Sequence, residues 1–378
     1  MLDKLEGWGD SIFSVMTAKA NQHNALNLAQ GFPDFQIDSV LKDHVQEAMN
    51  GNYNQYSRSY GAPLLIRSIE SVIKEIYHAD IDGEEWITVV PGATFGIYVA
   101  LQALIHRGDE VIYIEPAYDS YEPSILMAGG IPVAYRSIAP TFAVDWEELQ
   151  TLITPATRLI IVNNPNNPTG AALEKSDLEI LGRIAEQHDL LVLSDEVYEF
   201  IRLKAGPHIP AYTIPGLKDR AVCLSSFGKT LHVTGWKVGY MVASPHLTGL
   251  LRKVNQFAVF STNHPMQIGI ARYLENKYEL TGVAGRYKDK LRMIQSFLSD
   301  SRFKAMPCDG TYFLMLDYSA ISDRGSYEFA LDLVEQHGIA TIPVSAFYSG
   351  GVDPHLLRIC FAKVESTLIK AGNILCKI

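Results

Sequence analysis

From residue 86 onward, short apolar runs alternate with segments of amphipathic helical periodicity. The runs at 86–90, 110–114, 131–136, 158–163, 190–194, 221–225 and 238–242 are strand candidates, several rich in the β-branched residues that suit a sheet covered on both faces. Helical patterns such as 175–188 fall between them. A chain that repeats strand and helix in this way closes as crossover units around a mainly parallel sheet. The expected fold class is α/β: a large domain with a mainly parallel seven-stranded sheet covered by helices. Past residue 263 the pattern changes to a long helical stretch at 265–297, an apolar run at 310–316, a helix at 326–337 and a second apolar run at 358–362. These segments predict a smaller α+β domain, with no Pro/Ser-rich linker before it and no internal repeat.

Composition narrows the function classes. With 378 residues, 47% of them hydrophobic, the chain can bury the cores of two domains. Its net charge is −10 and its 32 basic residues are scattered, which argues against nucleic acid or an anionic membrane surface as partner. Cys223, Cys308, Cys360 and Cys376 have neither the density of a disulfide scaffold nor zinc-site spacing, so buried thiols and no metal are expected. The first 20 residues carry Asp3, Glu6 and Asp10 and lack an apolar signal-peptide core, and no stretch is apolar enough to span a bilayer. A cytoplasmic location is the default expectation.

Four places suggest chemistry. Lys229 lies in the run SSFGKT at 225–230, behind a Ser/Gly turn that follows the apolar run ending at Leu224. A lysine there is placed to hold a carbonyl compound as a Schiff base and to move a proton, provided desolvation and a nearby cation keep its amine neutral near working pH. Asp195 ends another buried run, where a carboxylate could keep a pyridine nitrogen protonated. Gly92-Ala93-Thr94 stands between a strand and a helix that runs on to Ile105, so its backbone N–H groups are available to an anion. Arg358, inside the apolar run LLRICF at 356–361, needs an anionic partner if buried, and its guanidinium fork matches a planar carboxylate.

Taken with NNPNNPTG at 163–170 and LVLSDEVY at 191–198, these segments resemble, in order and spacing, the class I/II aminotransferases of pyridoxal-phosphate fold type I. The resemblance covers nearly the whole chain. Through QGFPDF at 30–35, NQY at 54–56 and EPAY at 115–118 it points to the branch of kynurenine, glutamine and methionine aminotransferases.

The resemblance implies pyridoxal 5'-phosphate as cofactor and a homodimer with sites shared across the interface. Lys229 would be the Schiff-base residue and Asp195 the partner of the ring nitrogen. Tyr198 and Asn167 would hold the phenolic oxygen, with Asn167 also meeting the substrate carboxylate. Ala93, Thr94, Ser226 and Lys237 would hold the phosphate, joined by Tyr56 from the neighbouring subunit. Tyr118 would stack on the ring, where relatives often have Phe, while Gly31 and Arg358 would receive the substrate. The implied domains are an N-terminal segment, 1–30, packing on the small domain, a cofactor-binding domain, 31–264, and a small C-terminal domain, 265–378.

A pocket wall of Phe13, Tyr60, Tyr118 and Phe260, with no identifiable second arginine, implies a methionine, phenylalanine, kynurenine or glutamine type of amino donor and a 2-oxo acid acceptor. A competing reading is a cysteine-S-conjugate or cystathionine β-lyase on the same scaffold. The cofactor-sensing domain of a transcription regulator is disfavoured, because no basic winged-helix segment precedes Gln30.

Overall fold

Apolar residues on both faces of successive strands leave burial on both faces as the only stable arrangement, and a central sheet provides it. A computed structural model describes residue 5, residues 7–276 and residues 278–378, without the side chains of Tyr278 and Glu279; Asp3 and Glu6 lie outside the described residues. The large sheet has seven strands, β1 Ile87–Val90, β2 Glu110–Glu115, β3 Ile131–Arg136, β4 Thr157–Asn163, β5 Leu191–Asp195, β6 Ala221–Ser226 and β7 Gly239–Ala243. Their order is β1-β7-β6-β5-β4-β2-β3. Neighbours pair in parallel from β6 through β3, whereas β7 runs antiparallel to both β1 and β6. The seven expected strands are all present, with ends shifted by a residue.

Every residue of β1, β5, β6 and β7 is buried. Helices close both faces. Helix Ala93–Leu104 lays Ile97, Ala100 and Leu101 on the sheet. Gly96 is required where this helix crosses β6, since a Cβ there would come within 2.7 Å of the Leu224 side chain. Helix Lys175–Gln187 covers the opposite face and is started by a reciprocal capping box of Glu174 and Asp177.

The second sheet is antiparallel, in the order Ile342–Pro343, Leu356–Cys360, Phe313–Asp317, Lys304–Ala305. Arg358 stands in its middle, opposite both Met315 and Ile342. Leu26–Asn27 pairs in parallel with Ile339–Ala340, tying the start of the chain to this region.

The single helical stretch expected at 265–297 is corrected to two helices, His264–Tyr273 and Tyr278–Leu298. Leu274 caps the first, and Glu275 and Asn276 bond back to Arg272 and Tyr273 in a turn. The first helix packs on the large-sheet side: Gln267 accepts from the Ala62 N–H and donates to Ser57, and Gly269 lets the backbone close on Val45. Hydrophobic periodicity continues through the break, so the pattern alone hides it.

Candidate active site

A cleft of ≈ 300 Å³ opens where the carboxyl ends of β4, β5 and β6 meet the second sheet. Such ends are where open α/β sheets bind ligands, because the helices that follow turn their N-termini toward the crevice. Lining it are Gly31, Ala93, Thr94, Tyr118, Asn167, Asp195, Tyr198, Ser226, Lys229, Lys237 and Arg358, which the sequence distributes over more than 300 positions. Tyr56 is the exception among the expected site residues. It is 80% exposed on this chain, its ring edge-on to Phe260 at 5.1 Å.

Asp195 ends β5 and is almost fully buried. Tyr121 donates to its Oδ2 at 2.7 Å, and the Val197 N–H approaches Oδ1 at 3.4 Å. Burial pushes its pKa up to about 6, and these donors and the nearby Lys229 oppose the rise by favouring the anion.

Asn163, at the end of the adjacent β4, donates from Nδ2 to the Asp195 carbonyl at 2.7 Å, and its Oδ1 accepts from the Asn167 N–H at 2.7 Å. One amide thus fixes both the strand end and the turn that carries Asn167. The Asn/Pro run is therefore tied to Asp195 by side-chain hydrogen bonds.

Lys229 sits in the single helical turn Phe227–Thr230 directly after β6. Its Nζ is 5.7 Å from the Tyr198 ring centroid and 5.8 Å from that of Tyr312. Desolvation lowers its pKa to about 8, with Arg358 and Lys237 adding repulsion. Burial pushes the Tyr198 hydroxyl well above its ordinary pKa.

Beside β7, Gly92 adopts φ +83° and caps helix Ala93–Leu104 without any side-chain hydrogen bond. A Cβ on Gly92 would lie 3.0 Å from Lys237 Cε and Nζ, so only glycine leaves the helix N-terminus open under that ammonium. The Thr94 hydroxyl lies 3.3 Å from the Tyr118 hydroxyl. Helix N–H groups, two hydroxyls and a lysine make a cradle for a phosphate dianion.

On the opposite wall Arg358 is 1% exposed. It donates from Nη1 to Asn167 Oδ1 at 2.7 Å and from Nη2 to the Ala29 carbonyl at 3.2 Å, while Nε has no partner among the described residues. Its guanidinium carbon is 3.9 Å from the Phe313 ring centroid, 5.0 Å from that of Phe13 and 5.1 Å from that of Phe347. No carboxylate forms an ion pair with it among the described residues. Burial lowers its pKa to about 10.

The aromatic wall differs from the expectation. Phe13 and Tyr118 line the cleft, joined by Phe32 and Phe313, which the sequence reading missed. Tyr60 does not line it. Arg58 and Arg252 stack on its ring at 4.5 and 4.0 Å, away from the opening. Phe260 is half exposed and also lies outside the cleft of this chain. Tyr121 and Asn163 were missed as well. Asn163 is the first residue of the quoted Asn/Pro run, but nothing in a sequence pairs Tyr121 with Asp195.

An amine of lowered pKa, a buried carboxylate and an anion cradle in one cleft suit Schiff-base chemistry with a phosphorylated carbonyl compound. Residues 23–372 match the model of the aminotransferase class I and II family. The chain is 41% identical to the methionine aminotransferase of Escherichia coli K12 over 371 residues, covering 98% of this chain and 96% of that one. It is 33% identical to mouse kynurenine–oxoglutarate transaminase 1, covering 99% and 96%. An Escherichia coli crystal structure reported with a methionine aminotransferase function superposes with TM-score 0.98 at 40% identity, covering 100% of this chain and 99% of that one. This chain belongs to the class I and II aminotransferases. It is a pyridoxal-phosphate-dependent transaminase of fold type I.

Proposed function

We propose that the enzyme transfers the amino group of an L-amino acid with an apolar, aromatic or amide side chain, of the methionine, phenylalanine, kynurenine or glutamine type, to a 2-oxo acid. The observation that carries this reading is Arg358: a buried guanidinium with an unpartnered Nε, set among Phe13, Phe313 and Phe347. It is the single arginine among the cleft-lining residues, the other cations being Lys229 and Lys237. One guanidinium serves one carboxylate, and the side-chain space is aromatic. The methionine and kynurenine activities of the relatives support the same choice.

Pyridoxal phosphate supplies a carbonyl carbon for the substrate amine and a ring that accepts the electron pair released at Cα. The protein's residues do the rest. Gly92, Ala93 and Thr94, with Ser226 and Lys237, would hold the phosphate. Asp195 would keep the ring nitrogen protonated through a charge-assisted hydrogen bond, which would make the ring a stronger electron acceptor. Lys229, its amine neutral above about pH 8, is the base that would take the proton from the substrate Cα. Tyr198 and Asn167 would hold the cofactor's phenolic oxygen, and Tyr118 would pack beside its ring. Arg358 and the Gly31 backbone orient the substrate so that the Cα–H bond faces Lys229.

The relatives named above are transaminases, which favours this reaction over the β-lyase reading. The same proposal includes a homodimer in which Tyr56 reaches the phosphate of the partner's site, a cytoplasmic setting supported by four free thiols, and domains at 1–30, 31–264 and 265–378, of which the boundary helix His264–Tyr273 packs on the large-sheet side. No described helix is long and apolar enough to cross a membrane. The test is a single-turnover panel of amino acids, following loss of the bound cofactor's visible absorbance. Methionine, phenylalanine, kynurenine or glutamine is expected to react faster than aspartate and glutamate. A panel in which only the dicarboxylic amino acids react would overturn the substrate assignment.

A further inference from the structure

A second cavity adjoins the cleft, with Tyr118 in both linings. It is bounded by Trp8, Phe347 and Asp119, the residue next to Tyr118. Phe347 connects the two spaces from the other side, since its ring is 5.1 Å from the Arg358 guanidinium. Two further carboxylates line this cavity, Glu115 and Glu122, but both have donors. Glu115 pairs with Arg136 and accepts from the Ser349 N–H at 2.6 Å, and Glu122 accepts from the Tyr113 hydroxyl. Among the described residues Asp119 has no cation at ion-pair distance and takes no hydrogen bond, its own backbone N–H aside. It is partly buried, and the charge it feels most is that of Arg358.

A carboxylate without a counter-ion beside the substrate's side-chain space acts on what enters there. A second carboxylate, as on aspartate, glutamate or a dicarboxylic 2-oxo acid, meets a like charge in a partly desolvated space. A neutral side chain with an N–H donor, an amide or an arylamine, meets an acceptor.

We propose that Asp119 is a specificity-determining residue that selects against substrates with a side-chain carboxylate and accepts a hydrogen bond from amide or arylamine side chains. The inference rests on the substrate reading above and deepens it. Aromatic walls reject a charge only by failing to solvate it, whereas Asp119 repels it. The discrimination therefore survives enlargement of the pocket and is lost with the charge.

The test uses the holoenzyme and single-turnover rates with methionine, glutamine and glutamate. Retained cofactor absorbance shows that each variant is folded. In Asp119→Asn, kcat/KM for glutamate relative to methionine is expected to rise on the order of tenfold, as removal of one like charge implies. Asp119→Glu is expected to keep most of the wild-type discrimination. If wild-type enzyme prefers methionine but the glutamate-to-methionine ratio is the same in Asp119→Asn, the role of Asp119 is refuted while the substrate reading stands. A parallel rise for all three amino acids also refutes it, because Asp119 would then only be balancing the charge of Arg358. A wild type that already prefers glutamate overturns the substrate reading and this inference together.

Discussion

The Tyr121 hydroxyl donates to Asp195 Oδ2 at 2.7 Å, with both groups shielded from solvent. The bond joins the first residue of helix Tyr121–Ala128 to the last residue of β5. It occupies Oδ2 and leaves Oδ1, which takes only the long 3.4 Å contact from the Val197 N–H, for the cofactor.

Removing that donor tests the electron-acceptor role. The hydrogen bond favours the ionised carboxylate, so Tyr121→Phe is expected to raise the Asp195 pKa further above its present value of about 6. A hydrogen bond to a charged group contributes about 1.5–3 kcal/mol, so kcat should fall by about tenfold or more with KM less affected. The acid limb of the kcat profile should move to higher pH. An unchanged profile would separate Tyr121 from the chemistry.

Burial of Asp195 also has a stability consequence in the apoprotein. Its folded pKa of about 6 lies above the ordinary 3.8, so the folded state holds the proton more tightly. Its contribution is fully favourable below pH 3.8 and is lost as pH rises through about 6. At 1.36 kcal/mol per pKa unit the cost of the ionised group at pH 8 is about 3 kcal/mol. Asp195→Asn should therefore raise the apoprotein's unfolding midpoint at pH 8 and give little gain at pH 4, while slowing transamination severely. Thermal unfolding at the two pH values, beside single-turnover kinetics, reads both effects.

Lys229 carries the opposite sign. Its folded pKa of about 8 lies below 10.5, so the stability it contributes is complete above pH 10.5 and is lost as pH falls through 8. Only the neutral amine attacks a carbonyl. The rate at which apoenzyme captures pyridoxal phosphate should rise with pH to a plateau with an inflection near 8. Borohydride reduction followed by peptide mapping should place the pyridoxyl label on Lys229. Lys229→Arg should take no label.

Arg358→Lys keeps the charge and loses the fork. The guanidinium holds Asn167 and the Ala29 carbonyl at fixed positions, which an ammonium cannot do while also meeting a planar carboxylate. Disrupting a buried charged contact costs about 2–5 kcal/mol, so kcat/KM for amino acids and 2-oxo acids should fall by about 30-fold or more. Cofactor affinity should change little. A variant with near wild-type kcat/KM would show that the substrate carboxylate binds elsewhere.

Gly92→Ala probes the phosphate cradle. The new Cβ would meet Lys237 at 3.0 Å on a backbone at φ +83°, strained for any L side chain. Weaker binding of pyridoxal phosphate, by about tenfold, is expected in equilibrium titration of the apoenzyme, with Ser226 and Thr94 still in place.

The sequence by itself determined the layers of this protein and the residues whose role lies in their own segment. Strands buried on both faces must be continuous apolar runs, which located β1, β5, β6 and β7. The apolar runs of the other three strands, including the more exposed edge strand β3, could be located from the chain as well. Lys229, Asp195 and Gly92 sit where a run ends and a turn begins, which is a local property. Tertiary structure decided the rest. Tyr121 meets Asp195 across 74 positions, and Arg358 meets Asn167 across 191. Tyr60, counted as pocket wall, is held between two arginines instead. Phe313 became wall because its strand sets its ring against the Arg358 guanidinium. Periodicity reports which face of an element is buried, and it cannot report which side chains from distant elements share that burial.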